Sequence, residues 1–135
     1  MTIHATTIAI NGRGVMILGA SGSGKSDLAL RLIDRGATLV SDDYTILTRN
    51  GATLIASAPP TIAGRIEVRG LGIVPISHID GIPVALAVWI GDSVPRMPDS
   101  QTEDFAGVPV RVLPIDPRPA SAPLLVELAL AHHLP

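Results

Sequence analysis

Gly19-Ala20-Ser21-Gly22-Ser23-Gly24-Lys25-Ser26 is the stretch on which the fold turns, because it matches G-x-x-x-x-G-K-[ST]. A phosphate chain needs several backbone N–H donors converging from one tight turn. Side chains at the crowded positions would block that approach, so glycines occupy them. A helix opening at the end of the turn adds the positive end of its dipole and its unpaired N–H groups. Lys25 is then placed to reach the β and γ phosphates, and Ser26 to offer its hydroxyl to Mg²⁺. ATP and Mg²⁺ are the cofactors this pattern calls for. A dinucleotide fingerprint would need G-x-G-x-x-G, a spacing that Gly19, Gly22 and Gly24 do not meet. A glycine-rich turn that binds nothing is the competing reading, and the flanking sequence argues against it.

Upstream, Thr6 to Ile10 is β-branched and apolar, Asn11-Gly12 is a hairpin turn signal, and Val15 to Leu18 reads as the returning strand. Downstream, Leu28, Ala29, Leu32 and Ile33 fall on one face of a helix over Ser26 to Arg35, and Gly36 stops it. Thr38 to Ser41 is a short buried strand. Asn50-Gly51 joins the hairpin arms Tyr44 to Thr48 and Thr53 to Ala56. Ile73 to Ile76, Val84 to Ile90 and Val108 to Ile115 read as further strands, with Asp80-Gly81 as a turn before the second of them. Gly91 to Gly107 is polar and proline-punctuated and reads as a mobile loop. Pro117 to Pro123 reads as a proline-rich link, and Leu124 to Leu134 as a closing helix. The reading is one α/β domain over residues 1–135, β-rich, with one phosphate-loop helix and a C-terminal helix.

Asp42-Asp43 ends an apolar strand, where a sheet's carboxyl edge faces a bound nucleotide. One carboxylate there can hold Mg²⁺, and the other can take a proton from an attacking hydroxyl. Without the glycine loop, these would read as turn residues capping a strand. Ile66-Glu67-Val68-Arg69-Gly70-Leu71-Gly72-Ile73 sets an acid and a base two apart, on one face if extended. Glu67 can complete a Mg²⁺ shell while Arg69 neutralises phosphate charge, although alone the two would read as a surface salt bridge. His4, His78 and the His132-His133 pair read individually as structural or exposed histidines, the last two at a helix end.

Composition excludes several classes. The 135 residues carry a net charge of −2, with no basic stripe and only Tyr44, Trp89 and Phe105 as aromatics, which argues against a nucleic-acid surface. The absence of cysteine excludes disulfides, thiolate metal sites and a cysteine nucleophile. No secretory signal is evident, and the apolar runs are far shorter than the ~20 residues that span a bilayer, so a cytoplasmic protein without membrane contact is expected.

These residues together resemble the catalytic domain of the HPr kinase/phosphorylase family. The resemblance rests on His4 before an apolar strand, the run Gly14 to Ser26, Leu28-Ala29-Leu30, Arg35-Gly36, Leu39-Val40-Ser41-Asp42-Asp43 and the stretch Ile66 to Ile73. Order and spacing agree over roughly residues 4–90, and the short form of the family found in alphaproteobacteria, without the N-terminal domain, is the nearest pattern. The resemblance implies a phosphate-loop domain akin to phosphoenolpyruvate carboxykinase and a seryl hydroxyl of the phosphocarrier protein HPr as substrate. It implies roles for His4, Lys25, Asp42, Asp43 and Arg96 in catalysis, and for Ser26, Asp42 and Glu67 toward Mg²⁺. Asp43 would accept the proton in phosphorylation and return it in the reverse attack. The family's late Pro-Gly-Arg-Asn-like segment, linked to dephosphorylation, stands here as Asp116-Pro117-Arg118-Pro119-Ala120-Ser121. Long members form hexamers, so a homo-oligomer is left open. So are a kinase of this fold with another hydroxyl acceptor, and a catalytically silent nucleotide sensor.

Overall fold

The computed structural model describes residues 1–99 and 101–132. Its elements are β1 (Thr2–Ile10), β2 (Arg13–Leu18), α1 (Lys25–Asp34), β3 (Thr38–Ser41), β4 (Tyr44–Asn50), β5 (Thr53–Ser57), β6 (Arg65–Val68), β7 (Gly72–Pro75), β8 (Ile82–Ile90), β9 (Gln101–Phe105), β10 (Val108–Ile115) and α2 (Ala122–Ala131). The strand–strand–loop–helix–strand opening read from sequence is present. Asn11 and Gly12 take φ of 51° and 76°, the left-handed pair that lets a two-residue turn follow the strand twist. At the end of α1, Gly36 takes φ of 111°, and the Ala37 N–H returns to the Leu32 carbonyl.

Two sheets share the long strands β1 and β8. One runs β3-β1-β2-β8-β10-β9 and the other β1-β4-β5-β8, so the β-layer closes on itself. Strand alternation sorts the core accordingly. Ile8, Val15, Ile17, Leu86, Val88 and Ile90 face α1 and α2, meeting Leu28, Leu32 and Val126. Ala5, Ala9, Met16, Leu18 and Ala87 face inward between the sheets, against Leu47, Leu54 and Val110. Burial of each such leucine or isoleucine contributes on the order of 2 kcal/mol.

β8 is parallel to both β2 and β10, and β3 runs in the same direction because it and β2 are both antiparallel to β1. The carboxyl ends of these strands therefore lie along one edge. The loop after Leu18, the acids after Ser41 and the turn after Ile115 all emerge there, and the amino end of β1 brings His4 to the same place. Arg13 and Arg111 donate to the Leu130, Ala129 and His132 carbonyls, holding the far end of α2 against the sheet.

Three readings need correction. The stretch Gly91 to Gly107 is not one mobile loop, because Gln101–Phe105 pairs with β10 through an Ala106-Gly107 turn and Phe105 is buried. An edge strand with mostly exposed polar side chains has no apolar alternation to betray it. The closing helix begins at Ala122 rather than Leu124, so the proline-rich link ends earlier than Pro123. That proline occupies the first turn, where its missing N–H costs nothing. Glu67 and Arg69 do not share an extended face: β6 ends at Val68, and Arg69 lies in a turn closed by the Leu71 N–H on the Val68 carbonyl, with Gly70 at φ 91°. His132 caps α2, while His133 and Leu134 lie outside the described residues. No helix among the described residues is long and apolar enough to cross a membrane.

Candidate active site

Residues 19–24 leave β2 and turn directly into α1, with Gly22 at φ 77° and Gly24 at φ 105°. Both angles favour glycine. A Cβ on Gly19 would stand 2.8 Å from Ser23 Oγ and 2.8 Å from Ile90 Cγ1, so the turn is too tight for a side chain there. Lys25 opens the helix, is 5 % exposed, and donates from Nζ to the Gly19 and Ala20 carbonyls at 3.0 Å each. Two of its three donors thus hold the loop closed. Ser23 Oγ is buried in this loop with no hydrogen-bond partner among the described residues.

The next residue ties the loop to the acidic pair. Ser26 Oγ donates to Asp42 Oδ1 at 2.6 Å. Asp42 is 6 % exposed and accepts two further bonds: Thr6 Oγ1 donates to Oδ1 at 3.0 Å, and the Glu67 N–H donates to Oδ2 at 2.9 Å. Three donors fix the orientation of this buried carboxylate.

Asp43 points the other way, into solvent. The Tyr44 N–H closes on the Asp42 carbonyl at 2.8 Å, and Asp43 between them takes φ of 68°. This is a γ-turn of the rarer, strained hand. His4 Nε2 donates to Asp43 Oδ1 at 2.8 Å, and its ring stacks on Tyr44 with centroids 5.2 Å apart. His4 and Tyr44 are a cross-strand pair of β1 and β4.

The structure therefore brings together His4, Lys25, Ser26, Asp42 and Asp43, with the glycine loop beside them. Glu67 joins through its backbone, while its side chain is exposed. Arg69 at the β6–β7 turn and Arg96 in the irregular segment after β8 are exposed, and neither has a hydrogen bond or ion pair among the described residues. Nothing links either arginine to the cluster. Sequence reasoning missed Thr6 and Tyr44. The signal for Thr6 was available, because His4 and Thr6 are two apart on one strand and so share a face.

No group of three or more histidines, aspartates and glutamates that could hold a metal occurs among the described residues. The donors present are Ser26 Oγ, the Asp42 carboxylate and the exposed Glu67. Such a sparse set suits Mg²⁺, which keeps waters and takes one or two carboxylates plus substrate phosphates. The glycine loop borders these donors through Ser26. Two concavities that share Arg13 and Leu130 in their lining include none of these residues.

The turn after β10 approaches the loop from the other side. Arg31 of α1 donates to the Pro117 carbonyl at 2.6 Å, and Pro117 lies 3.8 Å from where a Gly24 Cβ would stand. Arg118 donates to both carboxylate oxygens of Asp116. That side-chain bond, with the Arg118 backbone N–H, lowers the Asp116 pKa from 3.8 to about 2. A depressed carboxyl contributes to stability above the unfolded pKa and loses that contribution as pH falls toward the folded one. The pair therefore does not titrate at neutral pH. Carboxyl-resolved NMR should find Asp116 titrating near 2, and Arg118→Ala should raise it toward 3.8. The retained backbone N–H keeps part of the depression.

Residues 1–87 match the family profile described as HPr Serine kinase C-terminal domain. The HPr kinase/phosphorylase of Clostridium botulinum (strain Eklund 17B / Type B) is 32 % identical over 145 aligned positions, covering 97 % of this chain and 48 % of the relative. That of Cupriavidus necator is 38 % identical over 128 positions, covering 85 % of this chain and 40 % of the relative. The chain spans about half the length of the curated relatives it matches. The solved Hpr(Ser) kinase/phosphatase of Coxiella burnetii superposes with a TM-score of 0.86 at 31 % identity, covering 97 % of this chain and 88 % of that one. With a profile match over most of its length and a superposition that extends through the strands and helix beyond it, this chain belongs to the HPr serine kinase C-terminal domain family.

Proposed function

We propose that the chain is an ATP- and Mg²⁺-dependent protein-serine kinase acting on an HPr-like phosphocarrier protein. The observation that carries this reading is the 2.6 Å bond from Ser26 to Asp42, which joins the glycine loop to an acidic pair at one sheet edge. The names of the relatives above suggest the acceptor. Bound Mg²⁺·ATP provides the transferable phosphoryl group and a divalent charge that offsets the charge developing on it.

The chain's own residues do the rest. Backbone N–H groups of residues 19–24 and the start of α1 hold phosphate oxygens. Lys25 exchanges its bonds to the Gly19 and Ala20 carbonyls for phosphate. Ser26 and Asp42 would hold the metal, with Glu67 as a further ligand. Asp43 accepts the proton of the incoming seryl hydroxyl at its carboxylate, and His4 orients that carboxylate. Arg96 and Arg69 would neutralise charge on the transferring phosphoryl group. In the reverse direction, with inorganic phosphate, Asp43 returns the proton.

Incubation with Mg²⁺, ATP and an HPr-type protein should add one phosphate to a serine of that protein, read by mass spectrometry. Phosphorylation of another acceptor but not of HPr would transfer the activity to a different hydroxyl. Nucleotide binding with no transfer to any acceptor would leave a sensor in its place.

A further inference from the structure

Thr6 sits in the first strand with its side chain completely buried, one residue from a second buried threonine. The two hydroxyls do different things. Thr7 Oγ1 lies 2.8 Å from Thr45 Oγ1, and Thr45 donates onward to the Ala5 carbonyl at 2.9 Å. That chain ends within the β-layer and touches nothing at the carboxyl edge. Thr6 faces the opposite way, toward the acids. Its hydroxyl donates to Asp42 Oδ1 at 3.0 Å and accepts the Asp43 N–H at 3.1 Å. One oxygen thus spans both members of the acidic pair, by side chain to one and by backbone to the other.

The two bonds have distinct consequences. Toward Asp42, Thr6 shares Oδ1 with Ser26, so that oxygen receives two hydroxyl donors while Oδ2 receives the Glu67 N–H. The carboxylate plane is fixed from three directions. Losing Thr6 leaves Ser26 as the one remaining donor to Oδ1 among the described residues. Toward Asp43, Thr6 holds the N–H of a residue in the left-handed region, at φ 68°. A non-glycine residue there is strained and persists only when its surroundings over-determine it. The N–H bond to Thr6 is one such restraint, the Tyr44-to-Asp42 closure is another, and the His4 contact is a third. A shift in the β1–β3 register between Thr7 and Ile8 lies next to this point. Such irregularities re-aim side chains beside active sites.

We propose that Thr6 is a positioning residue, setting the distance between the metal-holding carboxylate and the proton-accepting carboxylate through a single hydroxyl. It touches neither substrate nor metal. It acts through Asp42 and Asp43, and the proposal rests on the kinase reading given above. Groups that orient a metal-holding residue typically matter 10–100-fold in metal affinity or activity.

Thr6→Val and Thr7→Val are a matched pair: the same isosteric loss of hydroxyl, in adjacent residues with equal burial, with only one reaching the acids. Thermal melts establish that each variant folds. Two quantities are then read below the melting transition. The first is the Mg²⁺ concentration giving half-maximal binding of the β,γ-imido analogue of ATP, by calorimetry. The second is kcat for transfer to an HPr-type acceptor. Thr6→Val should raise the Mg²⁺ requirement about 10-fold or more and lower kcat about 10–100-fold. Thr7→Val should shift only the melting temperature, and Thr6→Ser should restore most of both readouts.

Thr6→Val behaving like Thr7→Val in both quantities would overturn the proposal and reduce Thr6 to a buried strand residue. If the parent chain binds Mg²⁺·nucleotide without phosphorylating HPr, the calorimetric arm alone decides Thr6, and the acceptor assignment falls separately. If the parent chain shows no Mg²⁺-dependent nucleotide binding, the kinase reading and the role of Thr6 fall together.

Discussion

Asp43→Asn is expected to abolish phosphoryl transfer while leaving nucleotide binding intact. A general base contributes about 10²–10⁴-fold, and the loss should fall in that range. Asparagine is the informative replacement for a structural reason. Position 43 has φ of 68°, and asparagine tolerates the left-handed region about as readily as aspartate does. Alanine would add backbone strain to the chemical defect and blur the result. Asparagine keeps the turn and can still accept the bond from His4, so only the capacity to take a proton is removed. The measurement is initial-rate transfer to an HPr-type protein, with calorimetric nucleotide affinity alongside. Unchanged transfer would remove Asp43 from the mechanism and favour a base supplied from elsewhere. Lost nucleotide binding would mean that the acid serves the metal instead.

Asp42→Asn should produce the complementary defect, a loss of about 100-fold or more in Mg²⁺-dependent nucleotide binding. The hydrogen-bond pattern around Asp42 predicts that the variant still folds. The Glu67 N–H points at Oδ2 and cannot reverse, so the amide oxygen must occupy that position. The amide nitrogen then faces Ser26 and Thr6, whose hydroxyls rotate and can accept where they formerly donated. The Glu67 N–H keeps its acceptor while the negative charge disappears, and the buried Thr6 hydroxyl proton loses the acceptor it had. A cooperative circular dichroism melt at a somewhat lower temperature than the parent's, together with lost metal dependence, is the expected pairing. An Asp42→Asn protein with unaltered Mg²⁺ dependence would place the metal elsewhere, with Glu67 as the remaining acid. The two substitutions therefore separate the acids by function although they are adjacent in sequence.

The split between neighbours was only half legible from sequence. Asp42-Asp43 is visible as an acidic pair ending an apolar strand. Their divergence into a buried, triply bonded carboxylate and an exposed one follows from the tight turn between them, which no propensity announces. Glu67 shows the same limit. Its side chain invited a metal-ligand reading, yet the contact found in the structure is its backbone N–H, a group every non-proline residue carries. Arg96 and Arg69 were chosen by position in a pattern, and they lie in a loop and a turn that leave them exposed. The strand hidden in Gly91 to Gly107 escaped because an edge strand can be polar on its exposed side.

What the sequence determined alone are the features written in short-range chemistry. The glycine loop, the amphipathic helix after it, the Asn11-Gly12 and Asn50-Gly51 turns and the strand before the acids depend on neighbouring residues and local backbone freedom. They are readable wherever those residues fall. The tertiary structure decided the rest. The parallel pairing of β2 with β8 joins segments some seventy residues apart (Gly14 with Val84), and the pairing of β1 with β3 brings Thr6 to Asp42 and Asp43. Periodicity states which face a strand buries but not which strand lies beside it. That choice rests on burying the two apolar faces of the shared strands at once, which only the assembled chain can do.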